Sequence, residues 1–161
     1  MALAKGLETY LQDHLAGAVA GTELANKISS EYANTRFGPF LAELAHDIEQ
    51  DKATLEGLME RLGIQQSPIK QVTSWIGEKI SRLKLSETMT GDQDLKRLLE
   101  LETLSLGVEG KLSMWRALIA VRDAHPELAA TDLARLAKRA ESQLSILEDH
   151  RLQAASGALT G

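Results

Sequence analysis

The sequence predicts an all-α fold, a bundle of four long helices in which one long crossover carries an extra short helix. Three observations predict it. Apolar residues make up 43% of the 161 residues but aromatics only 4%, so Leu and Ala must supply most of the packing, a balance that favours helices over sheets. Apolar positions recur at steps of three and four through most of the chain. Gly and Pro breakers then cut this pattern into long segments, separated by two short connections and a longer one.

Taken in order, the first helix is expected over residues 3–32, with Leu3, Leu7, Tyr10, Leu11, Ala18, Ala25 and Ile28 facing inward. Asn34-Thr35-Arg36-Phe37-Gly38-Pro39 interrupts it. A second helix follows over residues 40–62, burying Leu41, Leu44, Ile48, Leu55, Leu58 and Leu62, and Gly63 is a natural left-handed terminator. The short loop between them implies an antiparallel hairpin. Ser67-Pro68 reads as a cap and first turn of a shorter helix over residues 68–83. After a loop containing Thr90-Gly91-Asp92, a third long helix spans residues 95–123 and stops at His125-Pro126. Thr131 or Asp132 caps a fourth over residues 132–155, with Leu133, Leu136, Ala137, Ala140, Leu144 and Leu147 inside. The whole chain, residues 1–161, reads as a single helical bundle domain.

Several polar residues fall on these apolar faces. His14 lies among Tyr10, Leu11 and Ala18, and Asp51 between Ile48 and Leu55. The third helix is apolar almost all round. With its solvent side set by Lys96, Glu100, Gly107 and Lys111, the line Glu102, Glu109, Arg116 stands opposite, toward the core. On the fourth helix Arg151 centres the apolar face, with Glu141 and Glu148 on its shoulder. Ionised groups so placed cost several kcal/mol unless paired or bound. The five carboxylates outnumber the two arginines and one histidine, so raised carboxyl pKa values, solvent exposure or a metal cation must offset the excess.

Four long helices with two short loops and one connection of about 30 residues resemble the ferritin-like superfamily over nearly the whole chain. That resemblance implies layers: His14, Asp51, Glu109 and Glu141 near mid-bundle, Glu102, Glu148 and Arg151 about two turns higher, and Arg116 below. One histidine with several carboxylates suits iron, manganese or zinc. The di-iron members of the superfamily carry Glu-x-x-His on two helices. Here Glu43-Leu44-Ala45-His46 matches the string, but the wheel puts His46 opposite the core. Glu141 and Glu148 are followed three residues later by Leu144 and Arg151 rather than histidine. The departure weakens a ferroxidase reading. It leaves open whether His14, Asp51, Glu109 and Glu141 hold a metal, or whether His14 is a satisfied core histidine beside a buried network of Glu102, Arg116, Glu148 and Arg151.

Other classes are excluded or disfavoured. Without cysteine there is no disulfide or thiolate site, and a net charge of −5 argues against general nucleic-acid binding. No stretch approaches a membrane span, and Glu8 and Asp13 come too early for a signal peptide, so a cytoplasmic protein is expected. Gly107-Val108-Glu109-Gly110-Lys111 lacks the spacing of a phosphate loop, and H-E-x-x-H, G-x-S-x-G and G-x-G-x-x-G are absent. Lys70, Lys79, Arg82 and Lys84 beside Trp75 could lie on a membrane surface, although docking across the bundle is the commoner role. An acidic second helix (Glu43, Asp47, Glu49, Glu56, Glu60) and the basic start of the fourth (Arg135, Lys138, Arg139) suggest a homo-oligomer, a dimer in the simplest case. The expected function is therefore that of a structural or interaction protein, stress-related by analogy with small bacterial ferritin-like bundles. The alternative is a metal-binding protein or weak oxidoreductase.

Overall fold

The computed structural model describes residues 3–66, 78–79, 81–82 and 91–160. Among them are four long helices and no strand: α1 (Lys5–Glu31), α2 (Gly38–Arg61), α3 (Gln93–Val121) and α4 (Leu133–Leu159). Each starts or stops within a few residues of the expected boundary, for visible local reasons. At the α1–α2 turn the Thr35 hydroxyl donates to the Tyr32 carbonyl at 2.7 Å and accepts the Phe37 N–H at 3.2 Å, while Pro39 opens α2.

Gly63, with φ 72°, ends α2 in the expected left-handed conformation. The Gly63 N–H donates to Glu60 at 3.0 Å and the Ile64 N–H to Met59 at 2.9 Å. Met59 and Ile64 are both buried, completing a Schellman closure with its apolar contact. Asp92 caps α3 by accepting from the Asp94 and Leu95 N–H groups, and Asp132 rather than Thr131 caps α4 by accepting from Arg135. Between α3 and α4 two short 3₁₀ turns, Arg122–Ala124 and Pro126–Ala130, bury Leu128. Of the expected short helix over residues 68–83, only Glu78, Lys79, Ser81 and Arg82 are described, all helical and exposed. Its remainder, including Trp75, Lys70 and Lys84, lies outside the described residues.

Side-chain pairs fix the helix directions. Lys96 at the start of α3 meets Glu31 at the end of α1, so these two helices are antiparallel. Asp51 and Asp47 of α2 face Arg139 and Gln143 of α4, and Phe40 stacks on His150, so α2 and α4 also run oppositely. Arg116–Glu141 and Arg151–Glu102 set the same relation between α3 and α4. It follows that α2 and α3 point the same way, and that the end of α2 and the start of α3 lie at opposite ends of the bundle. The core between them is mainly leucine, with Trp115 and Phe37 the largest side chains fully enclosed. No helix of the described residues is long and apolar enough to cross a membrane.

The rotation of α3 differs from the expectation. Lys96 and Glu100, assigned to solvent, are buried at 8% and 2% exposure, and the Lys111 side chain is 13% exposed. Glu109 and Arg116, assigned to the core, are exposed. The helix has apolar residues on nearly every side, so its pattern carries little directional information. Its orientation is set by Trp115, Val108, Leu104 and Leu101, which fill the space between the other helices.

Candidate functional site

At mid-bundle Asp51 is only 4% exposed and is held by two cations. The Lys111 ammonium donates to one carboxylate oxygen at 2.5 Å, and the Arg139 guanidinium donates to the other. Lys111 also donates to Gln143 Oε1 at 2.7 Å, and Gln143 Nε2 reaches Asp47 at 3.3 Å. Arg139 lies 3.8 Å from Asp47 as well, so two carboxylates face two cations across α2, α3 and α4. Burial pulls the Lys111 ammonium below its usual pKa, and the Asp51 carboxylate opposes that shift. Of the five carboxylates expected in the core only Asp51 is buried, and it is offset by Lys111 and Arg139, neither of which had been placed there; Glu102, Glu109, Glu141 and Glu148 reach solvent instead.

The proposed metal-ligand set does not converge. His14 and Asp51 share one cavity wall. Glu109 is exposed, and Glu141 lies at 51% side-chain exposure in a surface pair with Arg116 at 2.8 Å. Among the described residues no three His, Asp or Glu side chains form a group suited to a metal ion. The second expected network is also displaced outward. Arg151 does bind Glu148 at 2.7 Å and Glu102 at 3.2 Å, but the two carboxylate side chains are 50% and 42% exposed, and Arg116 is separate from them. Solvated pairs of this kind contribute little to stability. The acidic and basic faces expected to pair between copies meet at one point within a single chain, where Arg139 lies 3.8 Å from Asp47.

Beside the cluster lies a cavity of about 110 Å³ between α1, α2 and α3. Leu24, Leu55, Val108 and Met114 supply apolar walls, and His14, Lys111 and Trp115 polar ones, together with the exposed Asp13 and the half-buried Lys52. Glycines make room for it: Gly17 and Gly21 from α1, Gly107 and Gly110 from α3. A Cβ on Gly21 or Gly107 would meet nothing within 4 Å, so close helix packing does not require glycine at either position. Each costs its helix up to about 1 kcal/mol relative to alanine. Gly21→Ala and Gly107→Ala should therefore each raise stability by about 0.5–1 kcal/mol, seen as a higher urea midpoint with an unchanged slope. The indole N–H of Trp115, a residue with 0% exposure, meets no acceptor among the described protein atoms. Burial holds His14 below its usual pKa, with nearby Asp13 opposing, and its ring packs edge-on to Tyr10 at 4.6 Å.

No protein-family model, curated protein or solved structure matches the chain. The site is therefore read from its own chemistry.

Two further polar groups were missed by sequence reasoning. Tyr32 donates to Glu100 at 2.7 Å, and Lys96 bridges Glu31 at 2.6 Å and Glu100 at 3.8 Å. Burial pushes the Glu100 carboxyl above its usual pKa despite the Tyr32 hydrogen bond, and it pushes the Tyr32 hydroxyl up as well. Across the α2–α4 seam, His150 stacks on Phe40 at 4.4 Å and meets the edge of Phe37 at 5.5 Å, with Nδ1 buried and without a hydrogen-bond partner among the described residues.

Burial is the main cause lowering the His150 pKa, Arg36 adds to it, and Asp149 opposes. The unfolded chain therefore takes up the proton first as pH falls. The His150 contribution is fully present above its ordinary value of 6.5 and is lost as pH drops through the lower folded value. Wild type should accordingly lose more stability than His150→Gln between pH 7.5 and pH 5, a difference readable from paired urea titrations. His14 acts with the same sign, and Glu100 with the opposite one above 4.5, so comparison with the variant isolates His150.

Proposed function

We propose that this chain is a non-catalytic, ferritin-like helical bundle acting as a structural or interaction protein, with a buried ion network that fixes how its helices register. The parallel course of α2 and α3, with α1–α2 and α3–α4 as antiparallel hairpins, supports the ferritin-like connectivity. The observation that carries the functional reading is the closure of the central cluster. Asp51 accepts from both Lys111 and Arg139, and Lys111 is further engaged by Gln143. A carboxylate held by two cations is poorly placed to ligate a metal or relay a proton. Such a network specifies one alignment of three helices, because any slip of α2 against α4 leaves buried charges unpaired.

Two measurements test this reading. The variant Asp51→Leu/Lys111→Met/Arg139→Leu should keep its helical circular dichroism and a cooperative unfolding transition, since an ion cluster without a chemical task is replaceable by apolar side chains. Elemental analysis of protein purified without chelator should find no stoichiometric iron, manganese or zinc. A metal present in the native protein and lost in His14→Ala would overturn the proposal in favour of a metal-binding protein.

A further inference from the structure

We propose that the cavity between α1, α2 and α3 is a binding site for a small, neutral, largely apolar molecule that presents one oxygen acceptor to the Trp115 indole N–H and the Lys111 ammonium. The proposal goes beyond the role of the ion cluster in helix register and does not depend on it.

Three independent features converge. The first is the space itself, about 110 Å³ in a partly open pocket that runs from the exposed Asp13 and half-buried Lys52 to the enclosed Trp115. Packed helices normally leave no such gap, and the space is of the order that a benzene-sized guest occupies. The second is how the space is kept. Gly21 and Gly107 sit inside long helices at positions where a Cβ would meet nothing. Alanine there would favour the helix and project a methyl group into the open space, so helix packing does not account for either glycine. The third is an orphan donor. Trp115 is fully enclosed on the cavity wall, and its N–H finds no acceptor among the described protein atoms. A buried unpaired N–H is costly, and an acceptor on a guest would relieve it.

The wall also selects the guest's chemistry. Lys111 gives two of its three donors to Asp51 and Gln143, and both Asp51 oxygens are already engaged. Hydrogen-bonding capacity at this end is therefore donor capacity, suited to an oxygen acceptor. The charged residues that line the pocket are balanced, Asp13 and Asp51 against Lys52 and Lys111, so a charged guest would bring a charge with no partner. Leu24, Leu55, Val108 and Met114 enclose the apolar body.

Phenol is a suitable probe, with benzene as its counterpart lacking the acceptor. Titration of ¹⁵N-labelled protein would be followed through the indole N–H resonance of Trp115, assigned by its persistence in Trp75→Phe. Phenol is expected to move that resonance downfield and saturably, and benzene to bind more weakly. In Gly21→Ala/Gly107→Ala, which adds two methyl groups to the cavity without removing a contact, phenol affinity should fall by at least about tenfold. The fold of that variant is checked by its remaining amide resonances. A non-saturable response, as from a cavity that holds only water, would overturn the proposal. So would equal phenol affinity in the doubly substituted protein. Benzene binding as tightly as phenol would remove the acceptor requirement and overturn the stated ligand class.

Discussion

Asp51→Ala is expected to destabilise the protein by about 3–5 kcal/mol, read from the urea midpoint at neutral pH. The carboxylate is 4% exposed, and its loss strands the two cations that were its partners. Lys111 is 13% and Arg139 23% exposed as side chains, so both charges are left largely shielded from water. Asp47 remains 3.8 Å from Arg139 and retains part of the attraction, but it cannot replace two direct hydrogen bonds. Replacing Asp51, Lys111 and Arg139 together removes the charges as well as the pairing, so that triple variant should be far less damaged than Asp51→Ala. A loss below about 1 kcal/mol for Asp51→Ala would mean that water reaches the cluster freely, as at a surface pair.

The second large effect is expected from a methyl group. Gly38→Ala should cost stability toward the upper end of roughly 1–3 kcal/mol, although alanine is the better helix former. Gly38 opens α2 beneath the turn from α1, and a Cβ there would press on the Ala33 carbonyl oxygen, 2.9 Å from the carbonyl carbon and 3.0 Å from the Tyr32 oxygen. Backbone atoms held by the Thr35 hydrogen bonds cannot yield as a flexible side chain would. The contrast with Gly21 and Gly107, where the same substitution should stabilise, can be measured in one series of urea titrations.

The helices were legible in the sequence because Leu spacing, Gly38-Pro39, Gly63, Asp92 and Asp132 are local signals that act within a turn or two. Helix rotation was legible where one side is plainly polar, as on α1 and α2: His14 and Asp51 both reach the cavity wall. It was not legible on α3. Orientation was read there from its charged residues, on the premise that charge faces water, whereas Lys96, Glu100 and Lys111 face partners on other helices. A charged residue on a many-sided apolar helix reports on its partner, which is distant in the chain. Lys111 meets Asp51 at a separation of 60 residues. Trp115 was the better guide, since the largest apolar side chain has the strongest preference for the interior. With Trp115 inward, Lys111 one turn earlier follows it, and Glu109 and Arg116 turn out. On α1 the cavity is visible in the sequence only as the run Ala16-Gly17-Ala18-Val19-Ala20-Gly21, a pattern that close helix packing alone explains adequately.

The shared direction of α2 and α3 also bears on time rather than stability. Each antiparallel hairpin closes through contacts near in sequence, whereas the seam that joins them pairs residues 60 and 88 positions apart. Contacts with so long a loop to close form late on the way to the native state. Damage to the ion cluster should then leave the refolding rate nearly unchanged and shorten the lifetime of the folded molecule, so that the seam governs how long the two hairpins stay together once they have met.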